Sequence, residues 1–303
     1  MDINRLEPAA GTEAVLIAGP TASGKSRLAV ELARRHGGVV VNADSMQVYA
    51  ELRVLSARPD VMDEASAPHR LYGHVPAATR YSVGRWLQHV EPVLDEAKAE
   101  GRLAIIVGGT GLYFKALTEG LASVPPVPPE LREALLARSE GEPSEALHRQ
   151  LAEVDPEDAA RIRPSDRSRI LRALEVFEAT GRPLEAWRQG ATRPALSDMK
   201  VERYVIDPDR AFLHHLIAGR AEMMLNHGGV EEARALAALG LSPDLPAMKA
   251  IGVREIASHL RGDMSLEETL AAMCTETRRY AKRQMTWFRN QMKDWRRLPL
   301  KEA

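Results

Sequence analysis

Eight consecutive residues have the types and spacing to hold a phosphate. Gly19, Pro20, Thr21, Ala22, Ser23, Gly24, Lys25 and Ser26 match the pattern G-x-x-x-x-G-K-[ST] at every fixed position. Glycines let backbone N–H groups close on a phosphate oxygen with no Cβ in the way, and a helix starting at the loop adds its positive end. Lys25 would neutralise the outer phosphate charge, and the Ser26 hydroxyl would sit on a Mg²⁺ ion that bridges phosphates. The loop predicts a polyphosphate or diphosphate ligand but names no reaction. Asp44, in Asn42-Ala43-Asp44-Ser45-Met46-Gln47, has three possible tasks: Mg²⁺ ligand, general base, or cap of the next turn. Gly108-Gly109-Thr110-Gly111 offers backbone donors and one hydroxyl, with which Thr110 could bond a leaving-group oxygen. No Asp follows the apolar run before it, where many phosphate-loop NTPases hold Mg²⁺, and this weakens a nucleotide-hydrolysis reading.

These groups need a scaffold that delivers them to one place. The apolar runs 14–18, 39–41 and 103–107 read as buried parallel strands, and 200–207 returns the chain to the sheet. In such sheets ligands sit outside the carboxyl ends of the strands, which sets Asp44 beside the phosphate loop. Helical periodicity covers 27–35, 82–100 with Ser82 as cap, 210–228, 231–239, 253–260 and 265–295. The proline-rich break at 124–129 opens a stretch without convincing strands, read as helices 130–139, 144–153, 156–162 and 166–180. The expectation is an α/β fold, a P-loop NTPase-like parallel sheet flanked by helices with an inserted all-helical subdomain. Its parts are a first core segment at 1–120, a helical insertion at 121–197, and core completion with a basic helix at 198–303.

The 303 residues, 45% hydrophobic and 27% charged, are ordinary globular composition. With a net charge of −1, a nucleic-acid site must be a local patch rather than a global field. One cysteine, Cys274, excludes an internal disulfide framework. Residues 1–12 are polar, and no apolar run approaches membrane-spanning length, so a cytoplasmic location is expected. His69 and His74, without cysteines or carboxylates at metal spacing, read as surface or hydrogen-bonded histidines. Arg161, Arg163, Arg167, Arg169 and Arg172, with Asp166 as the nearby acid, are either a solvated face or a nucleic-acid contact. The same choice applies to the 265–295 helix and its tail, with Arg278, Arg279, Lys282, Arg283, Arg289, Lys293, Arg296 and Arg297. Its Tyr280, Trp287, Phe288 and Trp295 read as core-packing aromatics. Arg220, mid-helix among apolar neighbours, either snorkels to the surface or aims its guanidinium at the diphosphate.

Residues 19–26 (GPTASGKS), 44–49 (DSMQVY), 108–117 (GGTGLYFKAL) and 277–289 (TRRYAKRQMTWFR) together resemble the tRNA dimethylallyltransferase family, in order and spacing, from about residue 14 to residue 297. The first motif is widespread among nucleotide-binding proteins, and the other three are far more specific. The resemblance implies that the loop holds dimethylallyl diphosphate, with Lys25, backbone amides, Mg²⁺ on Ser26, Arg220 and Thr110 stabilising the leaving group. It implies Asp44 as general base toward the exocyclic amine of the adenosine 3′ of the anticodon. Ser45, Met46, Gln47 and Thr110 would meet the base, and Arg132, Arg167, Arg169, Arg254, Arg278 and Arg283 the tRNA anticodon stem-loop. The chain would act as a monomer. One segment departs from the family: Val54-Leu55-Ser56-Ala57-Arg58-Pro59 stands where members read Ile-Gly-Thr-Ala-Lys-Pro. Rival readings are a relative that prenylates free adenine nucleotides, a small-molecule kinase, and an RNA-binding protein with an inactive loop.

Overall fold

The structure, a computed structural model, describes residues 6–188, 190 and 192–300. Residues 1–5 and 301–303 therefore lie outside the described residues. The chain forms two units, Met1–Thr118 with Ala195–Ala303, and Glu119–Pro194.

The first unit opens with β1 (Ala14–Ala18), α1 (Lys25–His36), β2 (Val39–Asn42), the short α2 (Val61–Ser66), β3 (His69–Arg70), α3 (Val83–Ala99), β4 (Ala104–Gly108) and α4 (Gly111–Glu119). The second unit holds α5 (Pro129–Arg138), α6 (Ser144–Val154), α7 (Pro156–Arg161), α8 (Arg167–Thr180) and α9 (Leu184–Arg188). The chain then completes the first unit with β5 (Val201–Pro208), α10 (Arg210–Met224), α11 (Val230–Ala238), α12 (Val253–Leu260), α13 (Leu266–Gln291) and β6 (Arg296–Leu300).

Six parallel strands form one sheet in the order β3-β2-β4-β1-β5-β6. All residues of β1, β2 and β4 are buried, the condition that selects continuous apolar runs over alternating ones. Two strands escaped the sequence reading because they are edge strands. β3 has only two residues, and β6 (RRLPL) is short, charged and carries a proline. As a correction, the last helix ends at Gln291, so Arg296 and Arg297 lie on an edge strand rather than on a basic helix face.

Register places the chemistry. Ala18 pairs with Gly108 and with Val205, and Asn42 pairs with Val107, so three strands end level and release residues 19, 43 and 109 into one crevice. The ends are cross-tied: the Gly19 N–H donates to the Gly108 carbonyl, and the Thr110 N–H to that of Ala43. A side chain on Gly108 would put its Cβ 2.0 Å from the Ala43 carbonyl oxygen, so this approach requires glycine. Against one side of the crevice pack Val48, Leu52, Leu225, Leu236, Ile256 and Met273, an apolar cluster joining the 43–57 loop to the helices after β5.

The divergent segment is held there without its glycine. Leu55 is buried in that cluster, against Gly229 and Gly252, which leave it room. The Glu232 carboxylate accepts the N–H groups of Arg53, Val54 and Leu55 at 2.7–2.9 Å.

In the helical unit the arginine run proves better partnered than the sequence suggested. Glu175, only 5% exposed at its side chain, pairs with both Arg132 and Arg172, and Glu185 pairs with Arg161. Asp166 is thus not the only acid near these arginines: Glu175 lies one turn from Arg172 on α8, while helix packing brings Glu175 to Arg132 and Glu185 to Arg161. Gly108→Ala is expected to cost about 3 kcal/mol, the upper end for overpacking, since the added methyl meets backbone rather than a flexible side chain. Chemical denaturation would check this through a matching drop in the midpoint.

Candidate active site at the strand ends

The phosphate loop has the backbone needed to gather amides. Ala22 and Gly24 both lie in the left-handed region (φ 65° and 74°), and alternation of that kind turns successive N–H groups toward one point. Ser23 is buried, and its Oγ has no hydrogen-bond partner, an orphaned polar atom inside the loop of the kind a ligand would satisfy. Lys25 is the first residue of α1 and is buried. Its ammonium lies 3.3 Å from the Pro20 carbonyl. Burial lowers its pKa to about 8; the Asp44 charge opposes this and the Arg220 charge adds to it.

Asp44 owes its position to Asn42. The fully buried Asn42 amide accepts the Asp44 N–H at 2.8 Å and donates to the Asp44 carbonyl at 3.0 Å. Trp86, stacked on Tyr113, donates its indole N–H to the Asn42 carbonyl at 2.9 Å. One Asp44 oxygen, Oδ1, accepts the Met46 N–H at 3.0 Å, which is the turn-capping task. The carboxylate also lines the cavity, so capping accounts for only part of it.

That cavity, of 240 Å³, collects what the sequence scattered. Its wall includes Thr21, Lys25, Asp44, Ser45, Met46, Gln47, Arg220 and Arg283, all anticipated as site residues. Four cationic side chains, Lys25, Arg220, Lys249 and Arg283, face one carboxylate, Asp44. The balance selects an anionic ligand. Arg220 is half-buried, and desolvation lowers its pKa, so it points inward instead of snorkelling out. An apolar part is built from Met46, Leu55, Ile217, Ala221, Met224 and Met273.

Other anticipated residues sit differently. The Thr110 hydroxyl accepts the Ser45 N–H at 2.9 Å and donates to the Ser45 hydroxyl at 3.2 Å, so it fixes the residue beside Asp44. Gln47 donates its amide to the carbonyls of Ser56 and Ala57, tying the divergent segment to the cavity wall. Arg167 is spent on the Ser139 and Glu142 carbonyls, ending α5. Arg169 pairs with Asp166 at 3.4 Å, and Arg254 reaches the Pro243 carbonyl at 3.4 Å. Arg278 is exposed on α13, and Arg283 lies 5.6 Å from the Tyr280 ring centre. Of the aromatics, Phe288 and Trp295 are core residues. Tyr280 instead lines the cavity, with burial raising its pKa.

Sequence reasoning missed Gln284. Its buried amide accepts the Thr21 N–H of the phosphate loop and donates to the Gly109 carbonyl, both at 2.9 Å. One side chain of α13 thereby joins two loops that lie 263 and 175 residues away in sequence. The available signal was a glutamine on the buried side of an otherwise basic helix.

For a divalent ion, the protein's offer is the Ser26 hydroxyl in the first turn of α1. Among the described residues no group of three or more His, Cys, Asp or Glu could hold a metal. That donor set suits Mg²⁺, which keeps its waters and takes most of its remaining ligands from substrate phosphates.

Family models for IPP transferase and isopentenyl transferase match residues 47–291 and 12–74. The chain is 53% identical over 287 residues to a tRNA dimethylallyltransferase of Rhizobium meliloti (strain 1021), covering 94% of this chain and 95% of the relative. It is 54% identical over 292 residues to one of Methylobacterium nodulans, covering 96% of each. Among solved structures it resembles a tRNA isopentenylpyrophosphate transferase from Bacillus halodurans (TM-score 0.68, 31% identity, 96% and 91% coverage). A eukaryotic dimethylallyltransferase acting on tRNA superposes with TM-score 0.80 at 25% identity, covering 95% of this chain and 74% of its own.

Two outcomes follow for inorganic diphosphate, measured by calorimetry. A bound anion favours charged Lys25, whose free-state pKa is near 8. Affinity should therefore hold below pH 8 and fall by up to about tenfold per pH unit above it, with proton uptake on binding; Lys25→Gln should flatten that dependence. Gln284→Ala should weaken diphosphate about tenfold, because it leaves the Thr21 N–H and Gly109 carbonyl without their buried partner.

Proposed function

The chain belongs to the IPP transferase family, and from that premise we propose that it transfers a dimethylallyl group from dimethylallyl diphosphate to N6 of the adenosine 3′ of the anticodon in tRNA. The observation that carries the reading is the cavity itself: a phosphate loop, four cations and a single carboxylate around an apolar part. The diphosphate lies in the loop, against Lys25 and Arg220. The branched five-carbon tail takes the apolar walls, with Leu55 and Met224 among them.

The reaction breaks the allylic C–O bond and forms an N–C bond. Negative charge grows on the departing diphosphate, where the loop amides, Lys25 and Arg220 meet it. Mg²⁺ on Ser26 would supply further neutralisation of the phosphate oxygens. The amine lone pair is delocalised into the adenine ring, so attack is productive only as its proton departs. Asp44 takes that proton at its carboxylate, and Asn42 holds the Asp44 backbone at both ends. Thr110 works through Ser45, setting the base-side wall of the cavity. To reach it, the adenine must leave the anticodon-loop stack, as bases do for enzymes that act on them. On α13, Arg278 is exposed for backbone phosphates, and Arg283 lies at the cavity wall.

The test is a transfer assay with labelled dimethylallyl diphosphate, Mg²⁺ and either unmodified tRNA or AMP. Label is expected in tRNA alone. Label in AMP would move the acceptor to free nucleotides, and consumption of ATP with no transfer would make the protein a kinase. In the same assay Asp44→Asn should lower kcat about 10²–10⁴-fold while inorganic diphosphate still binds. Near-normal turnover would remove Asp44 as base.

A further inference from the structure

Leu55 has two faces. One lines the apolar part of the cavity. The other is packed away from it, in the buried cluster that joins the 43–57 loop to the helices after β5. On that side two glycines make room for it. A Cβ on Gly252 would stand 2.9 Å from the Leu55 Cδ2 methyl, and one on Gly229 would stand 3.1 Å from it. Among the described residues that wall the cavity neither glycine appears, so Leu55 stands between the cavity and the space they leave. Neither position can take a side chain that would refill that space. Gly252 lies in the left-handed region (φ 99°), and a Cβ on Gly229 would meet the Met224 carbonyl oxygen at 2.4 Å.

Polar contacts, rather than the Leu55 side chain, hold the loop in place. Glu232 on α11 accepts the N–H groups of Arg53, Val54 and Leu55, and the Gln47 amide donates to the carbonyls of Ser56 and Ala57. The Arg58 N–H closes the turn on the Arg53 carbonyl at 3.0 Å. The isobutyl group can therefore be cut back without releasing the backbone. Truncation of a buried apolar side chain leaves a cavity, because its neighbours close in only partly. A dry apolar cavity accepts an apolar ligand, and here it would be continuous with the tail pocket.

On the transferase reading, we propose that Leu55 limits the site to a five-carbon tail by filling the space into which a longer prenyl chain would grow. A geranyl tail exceeds a dimethylallyl tail by one isoprene unit at the end far from the diphosphate. The isobutyl group is close to that unit in size, so residue and added unit compete for one volume. The other apolar walls provide no comparable stop. Met46, Met224 and Met273 are unbranched and re-pack around a ligand. Ala221 is small. Ile217 packs with Leu213, Ala281 and Ala22 of the phosphate loop, which sets it at the diphosphate end. Leu55 is the branched side chain at the opposite end, backed by glycines instead of by other side chains.

The experiment uses the whole chain with Mg²⁺ and the unreactive S-thiolo analogues of dimethylallyl and geranyl diphosphate, with inorganic diphosphate as reference ligand. Calorimetry reads the ratio of geranyl to dimethylallyl affinity in each protein. The unmodified chain should bind the geranyl analogue at least about tenfold more weakly, the scale on which a closed apolar pocket rejects added carbon. Leu55→Ala should remove most of that difference and Leu55→Val a smaller part. Labelled geranyl diphosphate should then pass its tail to tRNA in the Leu55→Ala protein. The bond exchange is the same: the allylic C–O bond breaks, an N–C bond forms, diphosphate leaves and Asp44 takes the proton. Because the ratio compares two ligands of one protein, a fraction that fails to fold does not alter it, and Leu55→Val is the milder change. Equal affinities in the unmodified chain, or a ratio unchanged in both folded variants, overturn the proposal and leave the transferase reading standing on its tRNA assay. A dimethylallyl analogue that binds no more tightly than inorganic diphosphate, with no label reaching tRNA, removes the transferase reading and the proposal with it.

Discussion

A buried ammonium opposite a single carboxylate is the constraint on which the site depends. Lys25 gives up hydration to lie at the start of α1, and Asp44 returns only part of that loss. Arg220, drawn into the same cavity, makes the shortfall larger. A group of positive charges held together without an anion is unfavourable, and a diphosphate relieves it. The protein thus carries an electrostatic demand that a diphosphate would meet. In the proposed reaction the leaving diphosphate would gain charge as the allylic bond breaks and meet that demand more fully than the ester did, which is the direction catalysis requires.

Holding such an arrangement requires rigid supports. The level ends of β1, β2 and β4 fix where the loop, Asp44 and Gly109 emerge. Asn42 then sets the Asp44 backbone from both sides, and Trp86 sets Asn42. Gln284 closes the arrangement from α13, the helix that carries Arg278 and Arg283. Seating of that helix and shape of the phosphate loop are therefore one structural fact, joined by two buried hydrogen bonds.

Much of this was legible in sequence, for physical reasons. Strands buried on both faces announce themselves as apolar runs, and the glycine loop announces its backbone because few other residues permit that path. Edge strands do not: β6 reads as a basic tail because it is short, opens on two arginines and pairs on one side only. The arginines of the helical unit looked free because their glutamates approach across helix packing, as Glu175 does to Arg132. Gln284 offered only a glutamine on the buried side of a basic helix, since nothing local in a sequence says that an amide will span two distant loops. The glycine missing at Leu55 was visible as a departure, but its accommodation depends on Gly229 and Gly252, far away in the chain.

The count of acids in the cavity bears on the division of labour. A phosphate-loop enzyme that cleaves nucleotides commonly places a carboxylate on its metal at a strand end, and β4 here ends in Gly108-Gly109-Thr110 instead. Among the described residues Asp44 is the one carboxylate on the cavity wall. Were it committed to a metal, it would be a poor base, because an ion that attracts its lone pairs also lowers its proton affinity. In the proposed reaction an ion carried by Ser26 and the substrate's own phosphates would leave the Asp44 carboxylate free to take the proton, a division of labour that suits an electrophile that departs readily and a nucleophile that is weak.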